Sequence, residues 1–242
     1  MQTVRCRDCG LRKFEVFRAC TAEQIDFIQT LKRKHVHLAA GKLIVREADR
    51  AELFTLYSGW AFRFKTLSDG RRQILNFLLP GDMIGLQDQV AEASPHGVEA
   101  VTDVQLCQFA RDGLWELFRH YPSLGYDVTW LASHEESMID ENLLSVGRRT
   151  ALERIAALLM HLYKRSISLG VGIDGRVPFP INQQHVADSI GLSLVHTNRT
   201  LRRLFKLGLY EVRDGWLTLP KPRALERLAE YFERPVASRP LI

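Results

Sequence analysis

The sequence has no apolar run long enough to cross a bilayer. Its first stretch, MQTVRCRDCGLRKFEVF, is charged and lacks a signal core, so no membrane role is expected and the expected compartment is the cytoplasm. It also lacks a Walker A segment, a GxGxxG and an HExxH. Its histidines (His35, His37, His96, His120, His134, His161, His185 and His196) are scattered, and none joins a nucleophile in a catalytic motif, so an enzyme is not expected. No internal repeat or low-complexity segment is evident. Cysteine is sparse, at four residues. In a reducing compartment so few thiols point toward metal or redox chemistry more than toward disulfide staples.

What is present is size and a charge asymmetry. A chain of 242 residues holds one large or two modest domains with proper cores. Residues 1–147 carry 17 Lys+Arg against 20 Asp+Glu, a net −3; residues 148–242 carry 16 against 8, a net +8. The basic half suits a polyanion better than a membrane, because it has no strongly amphipathic Lys-rich surface helix.

That half contains NQQHVADSIGLSLVHTNRTLRRLFK, residues 182–206. It reads as two short helices with a tight turn. Asn182 caps the first, Gly191 ends it in a left-handed conformation, and Ser193 caps the second. Val186, Ala187, Ile190, Leu192, Leu201 and Leu204 form one apolar face. His196, Asn198, Arg199, Arg202 and Arg203 remain outside. The pattern is that of a helix-turn-helix, which offers a basic helix to the DNA major groove. The plainer alternative is a helical hairpin with a solvated basic face.

Upstream, residues 1–20 form an irregular arm. Thr21 caps a helix, AEQIDFIQTLKRK, in which Lys32, Arg33 and Lys34 near the end suit the helix dipole. From His35 to Ala110 the pattern has period two. LFTLYS, WAFRFKTL, RQILNFLL and VQLCQF predict strands, and Asp69-Gly70 predicts a hairpin. An antiparallel sandwich or barrel follows. A long helix starts after Pro122, with a discontinuous stripe of Leu124, Val128, Leu131, Met138, Ile139, Leu143 and Val146. Glu135 interrupts the stripe, and Gly147-Arg148-Arg149 predicts a hinge. The stripe packs on the β-domain alone or also pairs with a two-fold mate. LYEVRDGWLTL predicts a small hairpin, a wing, and residues 223–233 a last short helix.

This order resembles the Crp/Fnr superfamily of bacterial transcription regulators over nearly the whole chain. The resemblance is carried by LFTLYSGWAFRFKTLSDGRRQILNFLLPGDMIG, by ALERIAALL and by VADSIGLSLVHTNRTLRRLFKLGLYEV. It implies an α+β fold: an N-terminal antiparallel β-roll like a cyclic-nucleotide-binding jelly roll, a long central dimerisation helix and a C-terminal winged helix-turn-helix. The expected divisions are a cysteine arm (1–20), a sensor β-roll (21–121), a dimerisation helix and hinge (122–147), a DNA-binding domain (148–222) and a tail (223–242). The resemblance further implies a homodimer on palindromic double-stranded DNA and contact with RNA polymerase. The family's base-touching positions fall at Leu194, Val195 and Arg199. Arg199 fits, since a guanidinium pairs with guanine O6 and N7. Val195 departs from the common glutamate. Asn198 and Arg199 are the expected base readers, with Ser193 and His196 nearby; Arg202, Arg203 and Lys206 are expected on phosphates.

For the sensor, one branch of the family binds a cyclic nucleotide through a Gly-Glu-Leu turn and an Arg-Ser pair. Here the turn reads Gly85-Leu86-Gln87, the Arg-Ser place falls near Ser94-Pro95, and no arginine lies between Arg72 and Arg111. A buried phosphate without a cation is costly, so no cyclic nucleotide is expected. The other branch holds a [4Fe-4S] cluster on three cysteines of the arm and one of a late strand. Cys6, Cys9, Cys20 and Cys107 fall that way, and thiolates suit such clusters. The common C-x2-C-x5-C spacing would put a cysteine where Glu15 stands, which leaves Cys20 as third ligand. Three alternatives remain: a zinc site or thiol switch on the same cysteines, a cofactor-free regulator set by its abundance, and a small-molecule-binding module whose winged helix binds protein.

Overall fold

Apolar alternation at period two organises the first half into two sheets. The computed structural model describes residues 4–50, 52–89, 93–231 and 238–242. One sheet runs β1 (Lys32–Leu38), β8 (Val104–Phe109), β3 (Leu53–Ser58), β6 (Met83–Ile84). The other runs β2 (Leu43–Val45), β7 (Gly97–Ala100), β4 (Ala61–Thr66), β5 (Arg72–Leu78). This is the expected β-roll.

The strands β3 and β8 are covered on both faces. Phe54, Leu56, Val104 and Leu106 share a core with Val45, Ala61, Leu78 and Val98 of the other sheet. Leu53, Cys107 and Phe109 instead join a second core. That core contains Ile28 of α1 (Ala22–Leu31), Leu117 of α2 (Gly113–His120), and Leu124, Val128 and Leu131 of α3 (Pro122–Arg148). Double coverage is why LFTLYS is almost continuously apolar. Between Cys6 and Lys13 the arm forms two short 3-10 turns, and Cys6 is buried in the second core.

Two local expectations need correction. The helix α1 starts on a Thr21–Gln24 capping box but stops at Leu31. Lys32, Arg33 and Lys34 open β1 instead, where Lys32 faces Phe109 and its Nζ donates to the Val4 carbonyl (2.7 Å). Ladder pairing outweighs the modest favour of cations at a helix end. Second, α3 runs through Gly147 to Arg148, so the break falls at Arg149-Thr150. Glu135 lies on the buried stripe, where it pairs with Arg63 of β4 (3.0 Å).

Of the described residues, those of 1–65, 77–137 and 237–242 form one compact unit and those of 66–76 and 138–236 a second. In the second, a Thr150–Glu153 capping box starts α4 (Ala151–Ser168), whose Ile155, Leu159 and Leu162 are buried. The expected helix-turn-helix follows as α5 (Gln183–Ile190) and α6 (Leu194–Lys206). The wing is a sheet in the order β10 (Glu211–Arg213), β11 (Trp216–Thr218), β9 (Arg176–Pro178). Asp214 and Gly215 both take positive φ, as a tight hairpin requires. The last helix is α7 (Pro222–Leu228), which packs on α4 with Lys164 paired to Glu226 (2.6 Å). The helix expected over 223–233 thus stops at Leu228, with Ala229 to Tyr231 outside it and Glu230 at positive φ; residues 232 and 233 lie outside the described residues.

Candidate DNA-binding surface and cysteine site

Local chemistry fixes the two helices of the motif. Asn182 Oδ1 accepts the His185 N–H (2.8 Å), closing a capping box at the start of α5. Gly191 ends the helix at φ +67°, a conformation that favours glycine. The Leu192 N–H reaches back to the Ala187 carbonyl (3.2 Å). Ser193 Oγ accepts the His196 N–H (3.3 Å), so this hydroxyl starts α6. Val186, Ala187, Ile190, Leu201 and Leu204 are buried as expected, and Leu192 is half-buried.

The other face of α6 is bare. Val195 is 71% exposed, and His196, Arg199, Arg202, Arg203 and Lys206 are exposed. With Asn198 and Leu207, all of these but His196 line an open hollow of about 600 Å³. Asn198 is half-buried, and its Oδ1 is buried with no partner among the described residues. Two cations in the wing were missed from sequence: Arg176 lies over the Trp216 ring (5.2 Å), and Arg213, near the hairpin tip, is exposed and pairs with Glu211 (2.7 Å). In the same unit Arg72 and Gln73 bind α5, through Asp188 (3.2 Å) and the Ser189 carbonyl (3.0 Å).

The cysteines lie in the first unit. Cys6 and Cys107 belong to one buried core, and Cys20 packs against it. The Cys6 N–H donates to Gln29 Oε1 (2.7 Å). Arg12 Nη1 donates to Cys20 Sγ (3.4 Å), and His35 Nε2 lies 3.4 Å from Cys107 Sγ. Burial pushes the Cys107 thiol up to about 11, against the pull of Lys32. Burial also raises Cys6, opposed by Lys32 and Arg12. All four cysteines are free. Among the described residues no three His, Cys, Asp or Glu side chains are placed to hold one metal ion. The thiol donors suit a soft metal, and the described residues do not assemble them around a single ion. His35 is half-buried beside Cys107. The cross-strand register His35↔Cys107 puts it there, and that register was not visible without the pairing of β1 with β8.

The roll interior holds a cation the sequence reading overlooked. Arg63 is 4% exposed, and Glu135 neutralises it. Leu86 of the Gly85-Leu86-Gln87 turn joins the second core, and the Ser94 hydroxyl donates to the His96 carbonyl (2.7 Å).

Comparison with known proteins agrees with this geometry. Residues 35–121 match the cyclic nucleotide-binding domain, and residues 153–228 match the Crp-like helix-turn-helix domain. The nitrogen fixation regulation protein FixK of Bradyrhizobium diazoefficiens is 31% identical over 225 residues, covering 93% of each chain. The chain belongs to the Crp/Fnr family. The transcriptional activator protein FnrL of Cereibacter sphaeroides is 29% identical and covers 90% of this Crp/Fnr chain and 86% of its own. The structure of FixK2 from Bradyrhizobium japonicum superposes with a TM-score of 0.73 at 25% identity, over 81% of this chain and 96% of that one. This Crp/Fnr protein is therefore a DNA-binding transcription regulator and not an enzyme. Regulators of this family bind DNA and act as dimers. Among the described residues no helix is long and apolar enough to cross a membrane.

Proposed function

We propose that the chain binds a palindromic double-stranded site as a homodimer, with α6 of each protomer in the major groove. One observation carries this. Val195, Arg199, Arg202, Arg203 and Lys206 stand exposed along a helix whose opposite side, Thr197, Leu201 and Leu204, is buried. Arg199 reads guanine, and Val195 meets a thymine methyl. Asn198 reads adenine only after its inward-turned Oδ1 rotates out. Ser193 and His196 set the first turn against the groove edge. Arg202, Arg203 and Lys206 hold phosphates. The protein works in the cytoplasm and contacts RNA polymerase.

Selection from a random DNA pool should return a two-fold symmetric site, and log affinity should fall steeply with log salt. A flat salt response would favour a winged helix that binds protein.

A second reading concerns the signal. The common neighbourhood of Cys6, Cys20 and Cys107, with Cys9 an electrostatic neighbour of Cys6 and Cys107, supports a thiol-based sensor, and thiolate chemistry would suit a [4Fe-4S] cluster. Iron and sulfide in protein purified without oxygen would support the cluster. Colourless, iron-free protein binding DNA alike with and without air would instead favour a regulator set by its abundance. The internal Arg63–Glu135 pair and the missing Arg-Ser pair support a roll that takes no cyclic nucleotide; tight calorimetric binding of cAMP or cGMP would contradict that.

A further inference from the structure

Residues 238–242 lie in the first unit, along the arm. The Arg239 N–H donates to the Val16 carbonyl (2.7 Å), and the Arg18 N–H donates to the Arg239 carbonyl (2.8 Å). Phe17 and Arg239 form a parallel bridge. Arg18 also donates from Nε to the Ser238 carbonyl and from Nη1 to Asp127 of α3, both at 2.9 Å.

The Arg239 side chain is caught on three sides. It lies over the Phe17 ring (5.5 Å) and donates to the Gly81 carbonyl (3.0 Å) and to Asp82 Oδ1 (2.5 Å). The other oxygen of Asp82 accepts the Leu79 N–H (2.8 Å), so the carboxylate is held by the turn it belongs to. A Cβ at Gly81 would fall 2.3 Å from the Phe17 ring, so the close approach of arm and turn requires glycine there. Leu241 and Ile242 are buried. Ile242 enters the core that holds Cys6 and Cys107, and its carbonyl accepts the Thr55 hydroxyl (2.5 Å).

DNA binding by α6 requires none of this. Here an Arg-Pro-Leu-Ile segment has a backbone ladder on the cysteine arm, an ion pair to the Gly81-Asp82 turn that the arm packs against, and an apolar anchor in the core shared with Cys6 and Cys107. We propose that residues 238–242 are a built-in strap, a docked peptide that holds the arm closed over Cys107, and that its release opens the buried thiols. The docked state carries a cost: Arg239 Nε is buried with no partner among the described residues. The proposal does not depend on a cluster, since it concerns the arm of the metal-free chain.

Alkylation of the reduced, metal-free, full-length protein with iodoacetamide, read at each cysteine by mass spectrometry, tests this. Deletion of residues 238–242, or Arg239→Ala, should speed labelling of Cys6 and Cys107 by about tenfold or more, as opening of a local unit would. Cys9 and Cys20, already half-exposed, should change by less than about threefold, because little protection remains to be lost there. Excess free peptide Ser-Arg-Pro-Leu-Ile should restore slow labelling to the deleted protein. This add-back separates strap release from general loosening. No acceleration at Cys6 and Cys107, or equal acceleration at all four cysteines without rescue by the peptide, overturns the proposal.

Discussion

Arginine serves opposite ends in the two units. In the first, Arg63 and Arg239 are 4% and 7% exposed and face Glu135 and Asp82. The two pairs are electrostatic neighbours. Burial pushes the Glu135 carboxyl up, Arg63 pulls it back, and Asp82 and Arg239 add smaller opposing effects. In the second, Arg199, Arg202 and Arg203 stand exposed on α6. A buried charge requires a partner inside the chain, because desolvation is costly. An exposed guanidinium keeps its fork of donors for something outside it. Burial, more than charge, separates the arginines that hold the fold from those that meet a ligand.

The sharpest way to break this contrast is to remove one buried cation. Arg63→Met leaves Glu135 buried without its counter-charge and should cost the first unit about 3–5 kcal/mol, read as a lower denaturant midpoint. Adding Glu135→Leu should recover most of that loss. An Arg63→Met protein as stable as the parent would remove the structural half of the comparison.

Next in size is a pH effect from the same interior. Burial, with Arg63 and Lys65 nearby, pulls His96 from 6.5 down to about 4, so the folded protein holds it neutral. Below about pH 6.5 the unfolded chain takes up a proton that the folded chain refuses. Stability is then lost between about pH 6.5 and 4, by up to about 3 kcal/mol from this group. His96→Gln should flatten that part of the stability–pH curve.

The exposed arginines should behave differently. Arg199→Ala should cost about 1–3 kcal/mol of DNA affinity and relax preference at one base pair, with the denaturant midpoint unchanged. The smallest effect is expected for Arg203→Ala: weaker binding to all sequences alike and a salt slope shallower by about one. If the two variants gave the same specificity profile, the division into reader and anchor would fail.

Local chemistry was the readable part of the sequence. LFTLYS and VQLCQF bound β3 and β8 residue for residue, and Thr21, Asn182 and Ser193 cap the helices expected of them. What escaped was long-range. Glu135 reads as a flaw in an apolar stripe until Arg63, 72 residues away in sequence, is brought opposite it. Lys32 to Lys34 suit a helix end or a strand equally, and only pairing with β8 decides. In the recognition helix the outward residues were legible because helical period and burial agree. The inward turn of the Asn198 carbonyl was not, because a rotamer leaves no trace in a sequence.

The double coverage of β3 has a consequence for how the protein can change. Phe54 and Leu56 serve one core, while Leu53 and the Thr55–Ile242 bond serve the other. Inserting or deleting a single residue in this strand would exchange the two sets, sending the Thr55 hydroxyl between the sheets and Leu56 toward the arm. Both cores would be wrong at once, so β3 acts as a frame that point substitutions can adjust but a change of length cannot cross. The Asp69-Gly70 turn between β4 and β5, exposed at its tip, is where the chain can lengthen without moving either core.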